Sequence, residues 1–241
     1  MDELKMYQVS TLQALSLGYS RAVITVEELL KHGDIGLGTF EDVHGEMIMV
    51  DGHCYQADNN GDVIEANLTT GVPFAAVSYL KGNRSFDIEK INSIDDLKAL
   101  LTIKIEEDFG LNSVHMLLIN GQFRHVSARS EEGRRSQHVP LKEILEGNQK
   151  DFFFNDIEGS LICVYYPDYM DGINASGWHL HFISKDRKFG GHVFDIEMNY
   201  GHALLDKISG IEIRLPNEPA FDTYALKEAS NDDIKKVEQG K

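Results

Sequence analysis

The stretch Gly177-Trp178-His179-Leu180-His181-Phe182-Ile183-Ser184-Lys185-Asp186-Arg187-Lys188-Phe189-Gly190-Gly191-His192-Val193-Phe194-Asp195 constrains this chain more than any other. Successive side chains on a strand point to opposite faces. His179 and His181 therefore share one face, with Leu180 and Phe182 on the other. The charged centre Lys185 to Lys188 reads as a hairpin tip, and a turn centred on Asp186-Arg187 sets His181 opposite His192. Directly opposed residues on one face have Cβ atoms about 4.5–5.5 Å apart. Three imidazoles then converge, which suits a metal: imidazole binds zinc at about 2.0–2.1 Å, and three protein ligands with an open position are the catalytic pattern. Three histidines on a solvated hairpin face are the plainer alternative. The matched register of the third histidine argues against it, as do the flanking Trp178, Phe182, Val193 and Phe194. The nitrogens alone do not single out zinc; iron, manganese, cobalt or nickel could use them.

The rest of the chain reads as strands with a few short helices. Asp51-Gly52, after Met47 to Val50, is a type I′ hairpin signal, and Asn60-Gly61 offers a further turn. Pro73 to Leu80 reads as another strand, and Asn120-Gly121 predicts a second hairpin joining Met116–Ile119 to Phe123–Val126. Thr25-Val26-Glu27-Glu28 is a capping box, Ser93 opens a helical pattern through Leu97 to Ile105, and Thr11 to Leu17 has helical spacing. The pattern F-x-D-[VI]-x-G-x-[ML]-I occurs at Phe40 to Ile48 and again at Phe154 to Ile162, either as a trace of two related halves or as a bulge motif used twice. The expected fold class is α+β, or mixed α/β: two β-rich sheets or barrel-like halves with few helices, the metal site on a hairpin of the second half. The polar run Ser130 to Gln137 sets the expected division into residues 1–135, contributing Glu46 and Arg129, and residues 136–241, carrying the histidines.

Composition narrows the partners. With 39 acidic and 23 basic residues in 241, the formal charge is -16, which disfavours nucleic acid and anionic membrane surfaces. A small anionic substrate remains compatible, because a metal or a few cations can reverse the sign within a cleft. Two distant cysteines, Cys54 and Cys163, make neither a disulfide framework nor a cysteine zinc site. With no visible signal peptide or spanning apolar run, a cytoplasmic location is expected. No G-x-S-x-G, G-x-G-x-x-G or P-loop pattern is present.

Three further residues are candidates. Glu46 opens the run Met47 to Val50 and shares a strand face with Ile48 and Val50, where a carboxylate is costly unless paired or metal-bound. Arg129 lies at the edge of the polar run and could grip a carboxylate bidentately, in competition with Arg124, Arg134 and Arg135. Glu238 lies in the short C-terminal charged segment. His44, His53, His115, His125, His138 and His202 form no ligand spacing and read as core or surface residues.

Over nearly its whole length the chain resembles the α-acetolactate decarboxylases, through VITVEELLKHGDIGLGTFEDVHGEMIMVDGHCYQA and PDYMDGINASGWHLHFISKDRKFGGHVFD. The resemblance implies a dimeric zinc lyase of β-rich two-part fold that converts (S)-2-acetolactate to (R)-acetoin and carbon dioxide on the route to butanediol. The substrate is a small 2-hydroxy-3-oxo acid. The family's zinc histidines fall on His179, His181 and His192. Its G-T-F…G-E motif falls on Gly38-Thr39-Phe40 and Gly45-Glu46, its active-site arginine on Arg129 and its C-terminal glutamate on Glu238. Thr39 and Arg129 are then substrate-binding, and Glu46, Arg129 and Glu238 catalytic. After the arginine the family has V-P-R-Q, where this chain has Ser130-Glu131-Glu132-Gly133-Arg134. Loss of carbon dioxide leaves an electron pair, and a metal acting as Lewis acid can stabilise the enediolate without an organic cofactor. Arg129 would orient the departing carboxylate, and Glu46 or Glu238 would deliver the proton. The alternatives are a cupin-like metal oxygenase or isomerase, and a metal-stabilised binding module.

Overall fold

The computed structural model describes residues 3–133 and 139–223. Two β-sheets pack face to face. The first has seven strands in the order β14 (Gly210–Arg214), β1 (Lys5–Val9), β8 (Phe74–Ser78), β3 (Ile35–Thr39), β4 (Glu46–Val50), β5 (His53–Ala57) and β6 (Val63–Glu65). Its neighbours are antiparallel except β1 and β14. The second comprises β10 (Val114–Glu131), β11 (Gln149–Tyr166), β12 (Gly177–Ser184), β13 (Gly190–Ile208) and β9 (Arg84–Ile88). Here β10 also pairs with β13, closing four strands into a ring. A small ladder joins β2 (Ile24–Thr25) to β7 (Gly71–Val72). The two-sheet, helix-poor fold class and the placing of the histidine cluster on the later strands agree with the sequence reading. Sheet membership crosses the expected division at 135/136, since β9 and β10 lie with β11 to β13 and β14 lies beside β1.

Apolar alternation explains the packing. Leu37, Ile48 and Ala76 of the first sheet meet Met116, Ile162, Val164 and Ile183 of the second. The other face of the second sheet is covered by α3 (Ile94–Asp108), whose Leu97, Leu101 and Ile105 recur every four residues and pack on Leu117, Leu180 and Phe182. Ser93 caps α3 by accepting from the Asp96 N–H, and Thr25 caps α2 (Val26–Leu29) by accepting from the Glu28 N–H, as their sequences predict. Thr11 caps α1 (Leu12–Ser16) in the same way. At Asp51-Gly52 both residues have positive φ, 55° and 76°, and Val50 pairs with His53, so the two-residue hairpin forms. Asp206 is buried on β13 and accepts from the backbone N–H groups of Lys81, Gly82 and Asn83 at 2.6–2.8 Å, which pins the β8–β9 connection to the second sheet.

The predicted hairpin at Asn120-Gly121 does not form. Both residues lie inside β10, which runs unbroken for 18 residues and is paired with β11 on one side and β13 on the other. Gly121 pairs with Gly159 and with Gly201, so a row of glycines crosses three strands. The glycine answers to close approach rather than to a turn: a Cβ on Gly121 would lie 2.6 Å from the Tyr200 carbonyl oxygen, and one on Gly159 would lie 2.4 Å from that of Ile183. The two copies of the F-x-D pattern also part ways. The first links β3 to β4, whereas the second lies within β11, and they share a left-handed aspartate, Asp42 (φ 62°) and Asp156 (φ 50°). Both cysteines are buried and unbridged. No helix among the described residues is long and apolar enough to cross a membrane.

Replacing Gly159 with alanine forces a Cβ against the Ile183 carbonyl oxygen and the ring of Phe182. Gly159→Ala should cost about 1–3 kcal/mol in urea unfolding, whereas Gly52→Ala meets no neighbour and carries only the penalty of its positive φ.

Candidate metal centre

The hairpin of β12 and β13 forms in the register read from the sequence, with His181 opposite His192. His179 Nε2 lies 3.1 Å from His181 Nε2 and 3.1 Å from His192 Nδ1. The three side chains each offer a nitrogen within 4.8 Å of the others, and all three residues are buried. Two ligands at about 2.0–2.1 Å from a tetrahedral ion sit about 3.3 Å apart, close to the two 3.1 Å separations from His179, so the trio suits a divalent transition metal. These rings project between the sheets, and the first sheet fixes one of them. His181 Nδ1–H donates to the Met47 carbonyl of β4 at 2.8 Å, which sets the tautomer and turns Nε2 inward.

Electrostatics favour the neutral, ligating form. Burial pushes His179 down to about 3, with the cations Arg129 and Lys98 adding to the shift. His181 is held well below its ordinary value by burial and by its neighbour His179. Glu46 opens β4 with its carboxylate Oε2 3.4 Å from His181 Nε2, and its side chain keeps 13% exposure. Strand pairing places Arg129 across from His192, and its Nη2 lies 3.4 Å from His192 Nε2. Thr39, buried on β3, donates its hydroxyl to the Gly45 carbonyl at 2.9 Å.

These residues surround one open pocket of about 450 Å³. Its floor carries His179, His192, Glu46, Arg129 and Thr39. Its wall is apolar, built from Leu15 of α1, Val43, Phe74, and Leu141 and Leu145 of α4 (Leu141–Leu145). The structure thus brings together six of the seven residues singled out; the seventh, Glu238, lies outside the described residues, as do Arg134, Arg135 and His138. Glu131 and Gln149, paired across β10 and β11, also line the pocket. Sequence reasoning missed both. Glu131 stands in a charged run that reads as solvated surface, yet it is 3% exposed.

The family model described as alpha-acetolactate decarboxylase matches residues 6–228. The chain belongs to the alpha-acetolactate decarboxylase family. It is an enzyme, an acetolactate decarboxylase. It is 35% identical to the alpha-acetolactate decarboxylase of Methanosarcina mazei over 97% of this chain and 80% of that one. It is 29% identical to that of Brevibacillus brevis over the same shares. The crystal structure of alpha-acetolactate decarboxylase from Bacillus subtilis strain 168 superposes with a TM-score of 0.92 at 28% identity, covering 97% of this chain and 99% of that one.

Two of the buried rings should make the metal-free decarboxylase less stable in acid. His115, in the core, is pushed down to about 4 by burial. On unfolding, His115 and His179 reach water and take up protons below about pH 6.5. Folded-state values lie below unfolded ones, so this stabilisation is fully present above about pH 6.5 and is lost as pH falls towards 4. Each ring should contribute a slope approaching 1.4 kcal/mol per pH unit. Urea titrations of chelated protein between pH 7 and 4 measure it, and His115→Phe should remove one ring's share.

Proposed function

We propose that the pocket decarboxylates (S)-2-acetolactate to (R)-acetoin at a zinc ion held by His179, His181 and His192. The observation that carries this reading is the convergence of three buried imidazoles on one point beside a pocket that also holds a guanidinium and a carboxylate. The donor set, all imidazole nitrogen and closely spaced, suits zinc and admits other divalent transition metals. When bound, the ion supplies Lewis-acid stabilisation of the charge left on the substrate oxygens as carbon dioxide departs.

The chain's own groups do the rest. Arg129, across from His192, grips the substrate carboxylate and aligns the bond that breaks. The Thr39 hydroxyl, its proton committed to the Gly45 carbonyl, keeps lone pairs to accept from the substrate hydroxyl. The apolar wall takes the substrate's methyl groups and excludes water. The electron pair freed by decarboxylation takes up one proton at carbon, delivered by the carboxyl group of Glu46 or Glu238 to one face. Family resemblance carries a cytoplasmic homodimer on the acetoin–butanediol route into the same proposal.

Purified protein should release carbon dioxide and acetoin from racemic acetolactate, lose that activity on chelation and regain it with zinc. Activity untouched by exhaustive metal removal would sink the reading. Arg129→Lys, which forfeits the planar fork, should raise KM by about tenfold or more, while Glu46→Gln in metal-loaded protein should slow turnover or change the product enantiomer ratio.

A further inference from the structure

A second constellation of side chains stands on β10 and β11, outside the lining of the metal pocket. His125 and Ser127 share one face of β10, and Asn155 lies directly across from His125 on β11. His125 Nδ1 is 2.8 Å from Asn155 Oδ1, and His125 Nε2 is 2.8 Å from Ser127 Oγ. An amide oxygen can only accept, so Nδ1 carries the ring proton and donates it to Asn155. The neutral ring keeps one lone pair, at Nε2, and the Ser127 hydroxyl donates to it. Hydroxyl, ring base and orienting group thus stand in the order that acyl-transfer sites use to activate a serine.

Its surroundings set this trio apart from an ordinary contact along a strand. Ser127 is 4% exposed, yet it lines an open cleft of about 1750 Å³ together with Trp178, Val193 and Phe194. β13 bulges at this point: Ser127 pairs with Asp195 and Ala128 with Val193, so Phe194 is the extra residue beside the serine. Bulges of this kind re-aim side chains and are frequent next to active sites. Phe153, 61% exposed, stacks on His125 with ring centroids 6.0 Å apart and meets Phe194 edge-on at 6.5 Å. An aromatic ledge therefore flanks the ring base.

We infer that Ser127, with His125 as general base and Asn155 as positioning residue, forms a second, metal-independent site that hydrolyses small aryl esters. Ser127 Oγ bonds to the ester carbonyl carbon while its proton passes to His125 Nε2. The bond from that carbon to the aryl oxygen breaks, and the departing oxygen takes the proton. Water then adds to the acyl carbon and gives a proton to Nε2. The bond to Oγ breaks, Oγ recovers that proton, and the carboxylic acid leaves. Phe153 and Phe194 offer the aryl group ring contacts. Neither step changes an oxidation state or draws on His179, His181 or His192.

The test treats full-length, metal-loaded protein with p-nitrophenyl acetate and with a fluorophosphonate, and locates the modified residue by peptide mass spectrometry. Both reagents should mark Ser127 in the folded protein, and faster than in protein unfolded in urea. His125→Ala should slow labelling by about 100-fold or more, the loss that follows removal of a general base. Asn155→Leu should slow it less, and Asn155→Asp, whose carboxylate also accepts from Nδ1–H, should restore it. Ser127→Ala should abolish the adduct, with melting temperature and decarboxylation of acetolactate checking that fold and metal centre persist. Absence of an adduct at Ser127 in the folded wild type overturns the inference without recourse to any variant. So does labelling that folded H125A leaves unchanged. Ester hydrolysis that forms no seryl adduct and stops on chelation belongs to the metal centre, and it overturns the inference as well.

Discussion

Three imidazoles gathered in the space between two sheets are the constraint on which the rest of this structure depends. Burial alone would make charged rings there untenable, and it pushes His179 to about 3. Such rings are stable only if something orders them and keeps water out. The first sheet does both. The Met47 carbonyl fixes His181 across 134 residues of chain, and Ile48 and Leu37 close the apolar space beside it. The metal centre is therefore a property of the sheet–sheet interface. Loosening that interface should disturb the site even where no ligand is altered.

The second sheet meets its part of this demand with very long strands. β10, β11 and β13 each run 18 or 19 residues, so one strand serves the apolar core at one end and the pocket at the other. Glycines 121, 159 and 201 let these strands approach closely where they cross. Asp206, accepting three backbone N–H groups of the 81–83 connection, ties the chain between the sheets to β13. The arrangement places Arg129 on a rigid paired strand, which suits a group that must be aimed.

Much of this was legible in the sequence. The hairpin register that pairs His181 with His192 follows from alternation about a charged tip, and the structure reproduces it. Glu46 on the face of Ile48 and Val50 was legible for the same reason, as were the caps at Thr25 and Ser93. The Asn120-Gly121 signal misled because a turn dipeptide states a local preference, and a ladder on both sides of β10 outweighs it. Glu131 misled in the opposite direction: a run of charged residues looks solvated, yet Glu131 is buried and lines a pocket together with residues of α4 and the first sheet.

By itself the sequence determined which side chains could act together along a strand or across a short hairpin, since these depend on the two-residue period and on turn chemistry, both short in range. It thereby fixed a three-histidine site and, through its motifs, a family. Only the tertiary structure decided that the Met47 carbonyl orients His181, that Arg129 reaches His192, and that Glu131 faces a pocket rather than solvent. Those relations join residues from some sixty to more than a hundred positions apart. They arise when two apolar faces find each other, and no local pattern encodes the register of that meeting.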